Sequence, residues 1–363
     1  MKNYSLVPED VLFFRDGKPF ANFQKSLFPP SPQTVYGALQ AVLLYQWCND
    51  NGISGDIRKV VNDKRGPDSY HNLVVRGPWL EADGKGDLFP CPADLWLEFK
   101  SGENRKKVLA AHFAKPSDGD GVGFRSDRFC GAVCASSSAK QPDGWWIDYA
   151  GLSAWAKGEH PSPESFVHSD ELWTFEPRVG IEISPNIGKV EDSVLFGVEF
   201  ARPLKKTDLR IRVDCSEDLP ENGIIRLGGE GRTVSVERAA SPSSFPSASV
   251  DAKKLKLALV TPAIFEHPLG IFPRDFDSST GEFVLAGVAL KLVSVAGGGY
   301  ITCGGWDGAS GAPTVLRRAV RPGTVYFCEL LSGDPNSLLQ AKFTDYPEDA
   351  KKGFGTLAIG EWK

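Results

Sequence analysis

The segment PPSPQTVYGALQAVLLYQWCNDNG, residues 29–52, carries the clearest secondary-structure signal in the chain. Ser31 is a favoured N-cap residue, Pro32 suits the first helical position, and Asn51-Gly52 is a typical helix stop. Between these signals, apolar side chains recur at the spacing of one helical face: Val35, Ala38, Leu39, Val42 and Leu43. The segment therefore predicts a helix that packs one face against the rest of the fold.

The sequence on either side of this helix predicts strands. Upstream, Asp10 to Phe14 (DVLFF) is an unbroken apolar run, typical of a strand buried on both faces, and the turn RDGKP follows it. After Phe175, short apolar or alternating segments recur between Gly and Pro residues: RVGIEIS, SVLFGVEFA, LRIRVDC, IIRLGG, RTVSVERA, KLKLALVTP, VALKLVSVA, GYITCGG, TVYFCEL and FGTLAIG. Many strands with one or two helices predict an α+β fold.

The length of the chain, 363 residues, suits two domains. We place the boundary near residue 170, which gives domains of residues 1–170 and 171–363. Between about residues 80 and 165 the sequence loosens into stretches rich in Gly, Ser, Asp and Trp. This region predicts an irregular insertion in the first domain, built as a strand pair with long loops.

Composition and charge limit the class of protein. Hydrophobic residues make up 41% and charged residues 24% of the chain, which argues against wholesale disorder and against a coiled coil. No apolar run reaches the roughly 18 residues of a membrane span, and the N-terminus does not read as a signal peptide, so we expect a cytoplasmic protein with no membrane partner. Seven scattered cysteines predict reduced buried thiols. A net charge of −5 requires any nucleic-acid surface to be local.

The search for catalytic motifs gives little. The glycines of GDGVG, residues 119–123, lack the strand and helix that a dinucleotide-binding loop requires. Cys130 and Cys134 follow His112 at C-x3-C spacing, but no fourth zinc ligand matches, and buried thiols are the favoured explanation. The five histidines form no metal-binding pattern, although a metal-independent ribonuclease could use one alone as a general base. We expect no catalytic residue, no metal and no cofactor.

Glycine turns beside basic residues are the most unusual feature: FFRDGKPF, GGEGRT, GGYITCGGWDG, LRRAVRPGTVYF and KKGFGTLAIGEW. Glycines let backbone amides approach a phosphate, and Arg or Lys supplies the countercharge. Aromatic residues that could stack on bases are Tyr36, Phe124, Trp306, Tyr326 and Phe354. Each glycine turn by itself is explained better as a hairpin turn, and each aromatic residue by itself as a core residue, than as an RNA contact. The whole set of turns, basic residues and aromatic residues predicts a surface that binds a nucleic-acid backbone.

Seven segments in order resemble one known family: LVPEDVLFFRDGKPF, FPPSPQTVYGAL, RVGIEI, GGEGR, GGYITCGGWDG, LRRAVRPGTVYFCEL and GFGTLAIGEW. They look like the third subunit of the type III-B CRISPR Cmr complex, a member of the RAMP superfamily. The resemblance covers both ends and most of the second half and is weak between about residues 80 and 170. It implies two ferredoxin-like (RRM-like) RAMP domains with β-rich insertions, with PPSPQTVYGAL opening the first helix.

The resemblance also implies a function without catalysis. Such a subunit belongs to an RNA-guided antiviral complex, holds the 5′ tag of the CRISPR RNA, docks the large polymerase-like subunit, touches neighbouring backbone RAMP subunits and meets target RNA indirectly. The motifs, together with three arginines added for their charge, give these candidate RNA-binding residues: Arg15, Lys18, Tyr36, Gly229, Arg232, Trp306, Arg317, Arg318, Arg321, Lys352, Gly353, Phe354 and Gly355.

Two alternatives stay open at this stage. The first is a RAMP endoribonuclease that processes CRISPR RNA precursors with a histidine as general base. The second, prompted by nine tryptophans, is a carbohydrate-binding or other β-rich recognition module. A secreted module would carry a signal segment, which the N-terminal sequence does not suggest.

Overall fold

The computed structural model describes residues 1–15, 23–53, 72–99, 107–116, 130–133, 138–183, 190–239, 245, 252–307 and 310–363. Its α-helices are α1 (Pro32–Asp50), α2 (Tyr149–Ala156) and α3 (Pro347–Lys352), and short 3-10 helices span Pro163–Ser165, Ser169–Glu171, Lys205–Thr207 and Pro335–Gln340. The strands of the first half are β1 (Lys2–Pro8), β2 (Phe23–Gln24), β3 (Val75–Ala82), β4 (Gly86–Pro90), β5 (Leu95–Phe99), β6 (Val108–Phe113), β7 (Lys115–Pro116), β8 (Cys130–Val133), β9 (Trp145–Asp148), β10 (Phe166–His168) and β11 (Trp173–Ile183). The remaining strands are β12 (Val190–Pro203), β13 (Arg210–Cys215), β14 (Ile224–Arg226), β15 (Thr233–Arg238), β16 (Lys254–Leu259), β17 (Glu282–Leu285), β18 (Val288–Ala296), β19 (Tyr300–Cys303), β20 (Trp306–Asp307), β21 (Ala312–Pro313), β22 (Arg317–Val320), β23 (Val325–Ser332) and β24 (Leu357–Glu361).

Helix α1 forms where the sequence predicts it. The Ser31 side chain accepts a hydrogen bond from the Thr34 amide at 3.3 Å, and Gly52 follows the C-cap residue with a φ of +64°. The side chains of the expected face are buried or partly buried: Val35, Ala38, Leu39, Val42 and Leu43. They pack with the apolar residues of a large sheet, so the periodicity identified the core-facing side correctly.

The first large sheet has the order β10-β9-β4-β3-β13-β1-β15-β14, and every neighbouring pair is antiparallel. Its centre is β1, which pairs on one side with β13, with Leu6 opposite Ile211, and on the other with β15, with Leu6 opposite Val236. Both strands flanking β1 come from beyond residue 200. The sheet therefore joins the N-terminus to chain far along the sequence.

The second large sheet has the order β24-β16-β23-β18-β8-β7, and β17 pairs with β18 as a hairpin. Strand β8 lies parallel to β18, with Cys130 opposite Ser294, and β7 pairs with β8. Because β7 and β8 belong to residues 80–165, the insertion of the first half extends the sheet of the second half.

The two sheets share one internal strand order. In the first sheet β15, β1, β13 and β3 lie side by side, and in the second sheet β24, β16, β23 and β18 do so. If the four strands of each set are numbered 1 to 4 along the chain, their order across the sheet is 4-1-3-2 in both sets. All neighbouring strands in this order are antiparallel. Helix α1 connects the first two strands of the first set, and α3 connects the last two strands of the second set.

Strand β16 of the second sheet is buried on both faces, since alternate residues enter different cores. In β16, Leu255, Leu257 and Leu259 pack in a core of the second half, whereas Ala258 faces a core that includes Trp79 of β3. Helix α3 also contacts α1 and β3. The two sheets therefore share one apolar interface.

In the described part of the chain, no helix is long and apolar enough to cross a membrane.

Several sequence predictions are confirmed and others need correction. Each of the ten segments predicted as strands after Phe175 overlaps a strand, and the five cysteines that the structure describes as free thiols are all buried: Cys48, Cys91, Cys215, Cys303 and Cys328. The DVLFF segment is buried, but among the described residues its one ladder contact is an isolated bridge between Leu12 and Ala201, because the interior position between β13 and β15 is taken by the earlier strand β1.

The expected boundary and the insertion also differ from the structure. A boundary near residue 170 would cut the first sheet, since β13, β14 and β15 belong to it, and the large sheets divide between Arg238 and Lys254. Residues 80–165 hold far more than a strand pair, namely strands that join both sheets, and the helix α2. The Gly- and Asp-rich composition of this region predicts turns, but it does not indicate the short strands between those turns.

Candidate nucleic-acid interface

A cleft of about 2550 Å³ runs between the two halves of the molecule. Its lining comes from the start of α1, from strands of the first large sheet, from loops next to β16 and β23 and from the chain after β18. Of the candidate residues, the cleft brings together Arg15, Gly229, Trp306 and Arg321. These residues are up to about 300 positions apart in the sequence, so the fold assembles a shared surface that no single motif contains.

One wall of the cleft is a glycine turn between β14 and β15. The Gly229 amide donates a hydrogen bond to the Phe13 carbonyl at 2.9 Å, and a Cβ on Gly228 would collide with that same oxygen. The turn therefore lies directly on the backbone of the buried DVLFF segment, which holds Arg15 nearby. Arg226 projects from the end of β14 and is exposed.

Another part of the lining is an arm formed by residues 300–307 and 310–320, in which β19 pairs with β22 and β20 pairs with β21. Trp306 lies on β20 and is 66% exposed. Gly304 and Gly305 let the arm fold closely, because a Cβ on Gly304 would lie 2.5 Å from Leu316, and one on Gly305 would lie 3.1 Å from Gln33 of α1. The exposed indole is therefore held at the cleft by close backbone packing.

The charged lining of the cleft is mixed. Three arginines and four carboxylates line it: Arg15, Arg226, Arg321, Asp143, Asp170, Glu230 and Asp307. Arg15 donates from Nε to Gln24 at 3.0 Å. Within the described residues, Arg226 and Arg321 form no ion pair, and both side chains are exposed at the cleft. The sequence does not single out Arg226, which lies within the strand motif IIRLGG, although it stands two residues before the GGEGR turn.

The neighbouring arginines Arg317 and Arg318 differ in their contacts. Arg317 donates two hydrogen bonds to the buried carboxylate of Asp349, at 2.7 and 2.6 Å, and its guanidinium lies 5.5 Å from the ring of Tyr346. The bond to Asp349 raises the pKa of Arg317. Arg318 is exposed and lies over the ring of Tyr300. The prediction that all three arginines of the LRRAVR stretch form a basic patch is therefore corrected, since Arg317 is paired with Asp349 within the fold.

Arg232 lies beside the cleft wall and also has unused hydrogen-bonding capacity. Its guanidinium stacks 4.5 Å from the ring of Phe200, and its buried Nε has no hydrogen-bond partner in the described residues. Glu176, close by on β11, binds Arg178 and Arg202, and the bonds to Arg202 and then Arg178 lower its pKa to about 2. Arg178 and Arg202 are thus paired with carboxylates, whereas Arg232 has no such partner in the part of the chain that the structure describes.

The terminal glycine loop is a packing element. Gly353 has a φ of +103°, its carbonyl accepts a bond from the Thr261 hydroxyl at 2.6 Å, and a Cβ there would collide with the Gly77 carbonyl of β3. A Cβ on Gly355 would lie 2.5–2.7 Å from backbone atoms of Phe343. Both glycines are buried, so their amides are enclosed by protein. The loop closes against the first sheet, as a tight turn before β24 requires.

Other candidate residues are also placed away from the cleft surface. Phe354 is 0% exposed and packs with Ile264, Cys303 and Ala319, and Tyr36 is 7% exposed in the core under α1. Burial of both rings corrects their assignment as base-stacking platforms. Lys352 is partly buried, its ammonium is 3.9 Å from Asp349, and burial lowers its pKa. Lys18 lies outside the described residues.

The residues considered for metal binding and catalysis do not assemble into a site in the described part of the chain. Nε2 of His112 is 2.7 Å from Glu98, Nδ1 of His160 is 3.0 Å from the Ala111 carbonyl, and His168 caps a 3-10 helix. No group of three potential metal ligands occurs among the described residues. Cys134 and the GDGVG segment lie outside them.

Comparisons with known proteins agree with this fold. A search of curated protein sequences gave no significant match. Chains from two cryo-electron microscopy structures are similar, namely Type III-B Cmr-beta bound to cognate target RNA and the same assembly bound to target RNA and AMPPnP. Each alignment has a TM-score of 0.50 and 15% sequence identity, and covers 90% of this chain and 86% of the compared chain. At this identity the likeness shows the fold, a strand-rich α+β architecture.

A family model identifies the chain more directly. The model described as CRISPR-associated protein (Cas_Cmr3) matches residues 4–362, which is nearly the whole sequence. The match includes the segments between residues 80 and 170 where the motif resemblance was weak, and it confirms the resemblance to the type III-B subunit. The chain belongs to the Cas_Cmr3 family of CRISPR-associated proteins.

Proposed function

We propose that the chain is a non-catalytic subunit of an RNA-guided type III-B CRISPR complex and that its cleft holds the 5′ tag of the CRISPR RNA. The observation that carries the proposal is the meeting of unpaired Arg226 and Arg321 with the exposed indole of Trp306 in one cleft. Arginine supplies phosphate contacts and an exposed aromatic ring supplies a stacking surface for an unpaired base. Family membership and the target RNA in the similar assemblies support this assignment.

The proposal includes the partners expected of such a subunit. It docks the large polymerase-like subunit, contacts neighbouring backbone RAMP subunits, meets target RNA indirectly and acts in the cytoplasm. We also assign each large sheet to a ferredoxin-like domain, because both repeat the same strand order with two parallel strands separated by an antiparallel one. In the described residues, one α-helix connects strands of each repeated set, α1 in the first and α3 in the second.

Mixed charge in the cleft sets the mode of binding. With few unpaired arginines, the cleft can neutralise few phosphates, and each contact to a single strand contributes about −0.7 to the slope of log K against log salt. Stacking on an aromatic ring adds about 1–3 kcal/mol per base without salt dependence. Binding of the tag therefore combines a shallow salt dependence with a large contribution from Trp306.

The test uses the complex reconstituted with CRISPR RNA. Arg226→Ala combined with Arg321→Ala is expected to weaken retention of the RNA and to flatten the salt slope by about 1.4, whereas Trp306→Ala weakens retention at an unchanged slope. Arg274→Gln is the control, because Arg274 is exposed but paired with Glu266. Equal retention by the double variant and this control at every salt concentration would contradict the cleft assignment.

A second assay separates the subunit from the endoribonuclease. Purified chain is incubated with repeat RNA in the presence of a metal chelator. Stable binding without cleavage agrees with the proposed subunit, whereas cleavage that is lost on substituting one histidine would establish the enzyme.

A further inference from the structure

A second cavity, of about 340 Å³, lies apart from the cleft and shares no lining residue with it. It forms where the hairpin of β5 and β6 and the chain after α2 meet the second sheet. Its lining consists of Asp94, His112, Phe113, Ala114, Lys115, Gly158, His160, Lys256, Phe327, Glu361, Trp362 and Lys363. Cavities of this size are typical of small-molecule sites.

A buried ammonium group lies at the inner end of this cavity. Lys256 on β16 is fully buried, and its Nζ is 3.1 Å from Asp94 Oδ2, while Asp94 Oδ1 accepts a bond from Trp155 at 2.8 Å. The rings of Phe113 and Trp155 each lie 4.3 Å from Nζ. An ammonium has three donors, and among the described residues Asp94 offers it one oxygen acceptor.

The remaining donors of Lys256 face aromatic rings, which are weaker partners than an anionic oxygen. Phe113, Asp94 and Lys256 all line the cavity, so a group entering beside Phe113 can reach this ammonium. Burial lowers the pKa of Lys256 even with the Asp94 carboxylate beside it. Among the described residues, Asp94 is the one carboxylate paired with this ammonium.

The outer part of the cavity suits the body of an organic anion. Phe327 and Trp362 provide apolar surface, and the exposed residues Lys115 and His160 stand at the mouth. Nδ1 of His160 is engaged by the Ala111 carbonyl, which leaves Nε2 for another contact. Three lysine side chains and two carboxylate side chains line the cavity: Lys115, Lys256, Lys363, Asp94 and Glu361.

We propose that this cavity binds a small organic anion, a carboxylate or phosphate carried on a flat apolar body. The anionic oxygen takes the free donor capacity of Lys256 beside Phe113, and the apolar body contacts Phe327 and Trp362. The site is independent of the proposed RNA cleft, because the two share no residue.

The experiment compares two probes of nearly equal shape on the full chain by isothermal titration calorimetry. Benzoate is expected to bind saturably and neutral benzamide roughly tenfold more weakly, a difference of about 1.4 kcal/mol, because the ammonium binds an anionic oxygen more strongly than a neutral amide oxygen. Inorganic phosphate is expected to compete with benzoate. Equal binding of benzoate and benzamide, or no saturable binding of benzoate, overturns the proposal.

A variant tests the location of the site. Lys256→Met combined with Asp94→Asn removes both charges at similar volume and keeps an oxygen acceptor for Trp155. Benzoate binding is expected to be lost, while Lys115→Ser at the mouth weakens it only a few-fold. Benzoate binding by the folded double variant at wild-type strength would overturn the proposal. The probe comparison on the wild-type chain decides the matter even if the double variant does not fold.

Discussion

Replacing Gly355 with alanine is the sharpest test of the terminal glycine loop. Gly355 has a φ of +67°, and the added Cβ would lie 2.5–2.7 Å from the backbone O, C and N of Phe343. Backbone atoms cannot rotate away as side chains do, so the loop or the segment around Phe343 must shift. We expect the clash to cost about 1–3 kcal/mol, the usual range for overpacking, in addition to about 1–2 kcal/mol for an L-residue in the left-handed region.

Gly52 provides a matched control. Its φ is +64°, almost the same as that of Gly355, and an added Cβ meets nothing within 4 Å. Gly52→Ala therefore measures the backbone strain alone. The difference in the free energy of unfolding between the two variants isolates the steric part, and we expect about 1–3 kcal/mol.

The assay is urea unfolding of both variants, together with RNA retention in the reconstituted complex at a concentration where each variant is folded. Gly355→Ala should lose stability and retain RNA normally. If Gly355→Ala were as stable as Gly52→Ala but retained less RNA, the loop would be a phosphate-binding element and the packing argument would be refuted.

Three further predictions concern other buried contacts. Arg317→Met leaves the carboxylate of Asp349 without its main partner and should lower the free energy of unfolding by about 2–4 kcal/mol, while Arg318→Ala changes it little; equal losses in urea unfolding would contradict the ion pair. Burial lowers the pKa of Lys342 to about 7, against about 10.4 in the unfolded chain, so the folded state loses this proton as the pH rises through 7 while the unfolded state keeps it up to about pH 9. Above pH 7 the free energy of unfolding of the wild type should therefore rise relative to that of Lys342→Met by up to about 1.4 kcal/mol per pH unit. Below pH 7 the two free energies should change in parallel. A constant difference at every pH would show that Lys342 stays charged in the folded state. Phe354→Ala should cost about 3–5 kcal/mol by calorimetry or urea unfolding without changing RNA retention of the folded protein, and a selective loss of RNA would restore Phe354 as a stacking residue.

Local patterns predicted the elements well. Helix α1 has its cap, its end and its buried face where the sequence places them, because each signal depends on residues within one or two turns. The strands after Phe175 were likewise found from apolar runs between turn residues. β1 was missed because DVLFF is more apolar than KNYSLVP, and an apolar run reports burial without showing which segment occupies the centre of a sheet.

The candidate site was predicted less well, since contact partners are distant in sequence. Arg317 and Arg318 look equivalent in the sequence, but the register of β22 directs one to Asp349, 32 positions away, and leaves the other exposed. Arg226 carried no special signal, and its value comes from facing the same cleft as Arg321. Whether an arginine is free to bind a phosphate depends on whether it is already paired with a carboxylate, and a short sequence motif does not show that partner.

The sequence by itself determined the α+β class, helix α1, most strands of the second half and the family motifs, because periodicity, capping and turn residues act over short distances. Tertiary structure alone decided the shared strand order, the contribution of β7 and β8 to the second sheet and the role of the terminal glycines. Gly353 and Gly355 resemble a phosphate loop until Gly77 and Phe343 are placed against them. Backbone amides bind a phosphate only where solvent can reach them, and packing between distant segments sets that access.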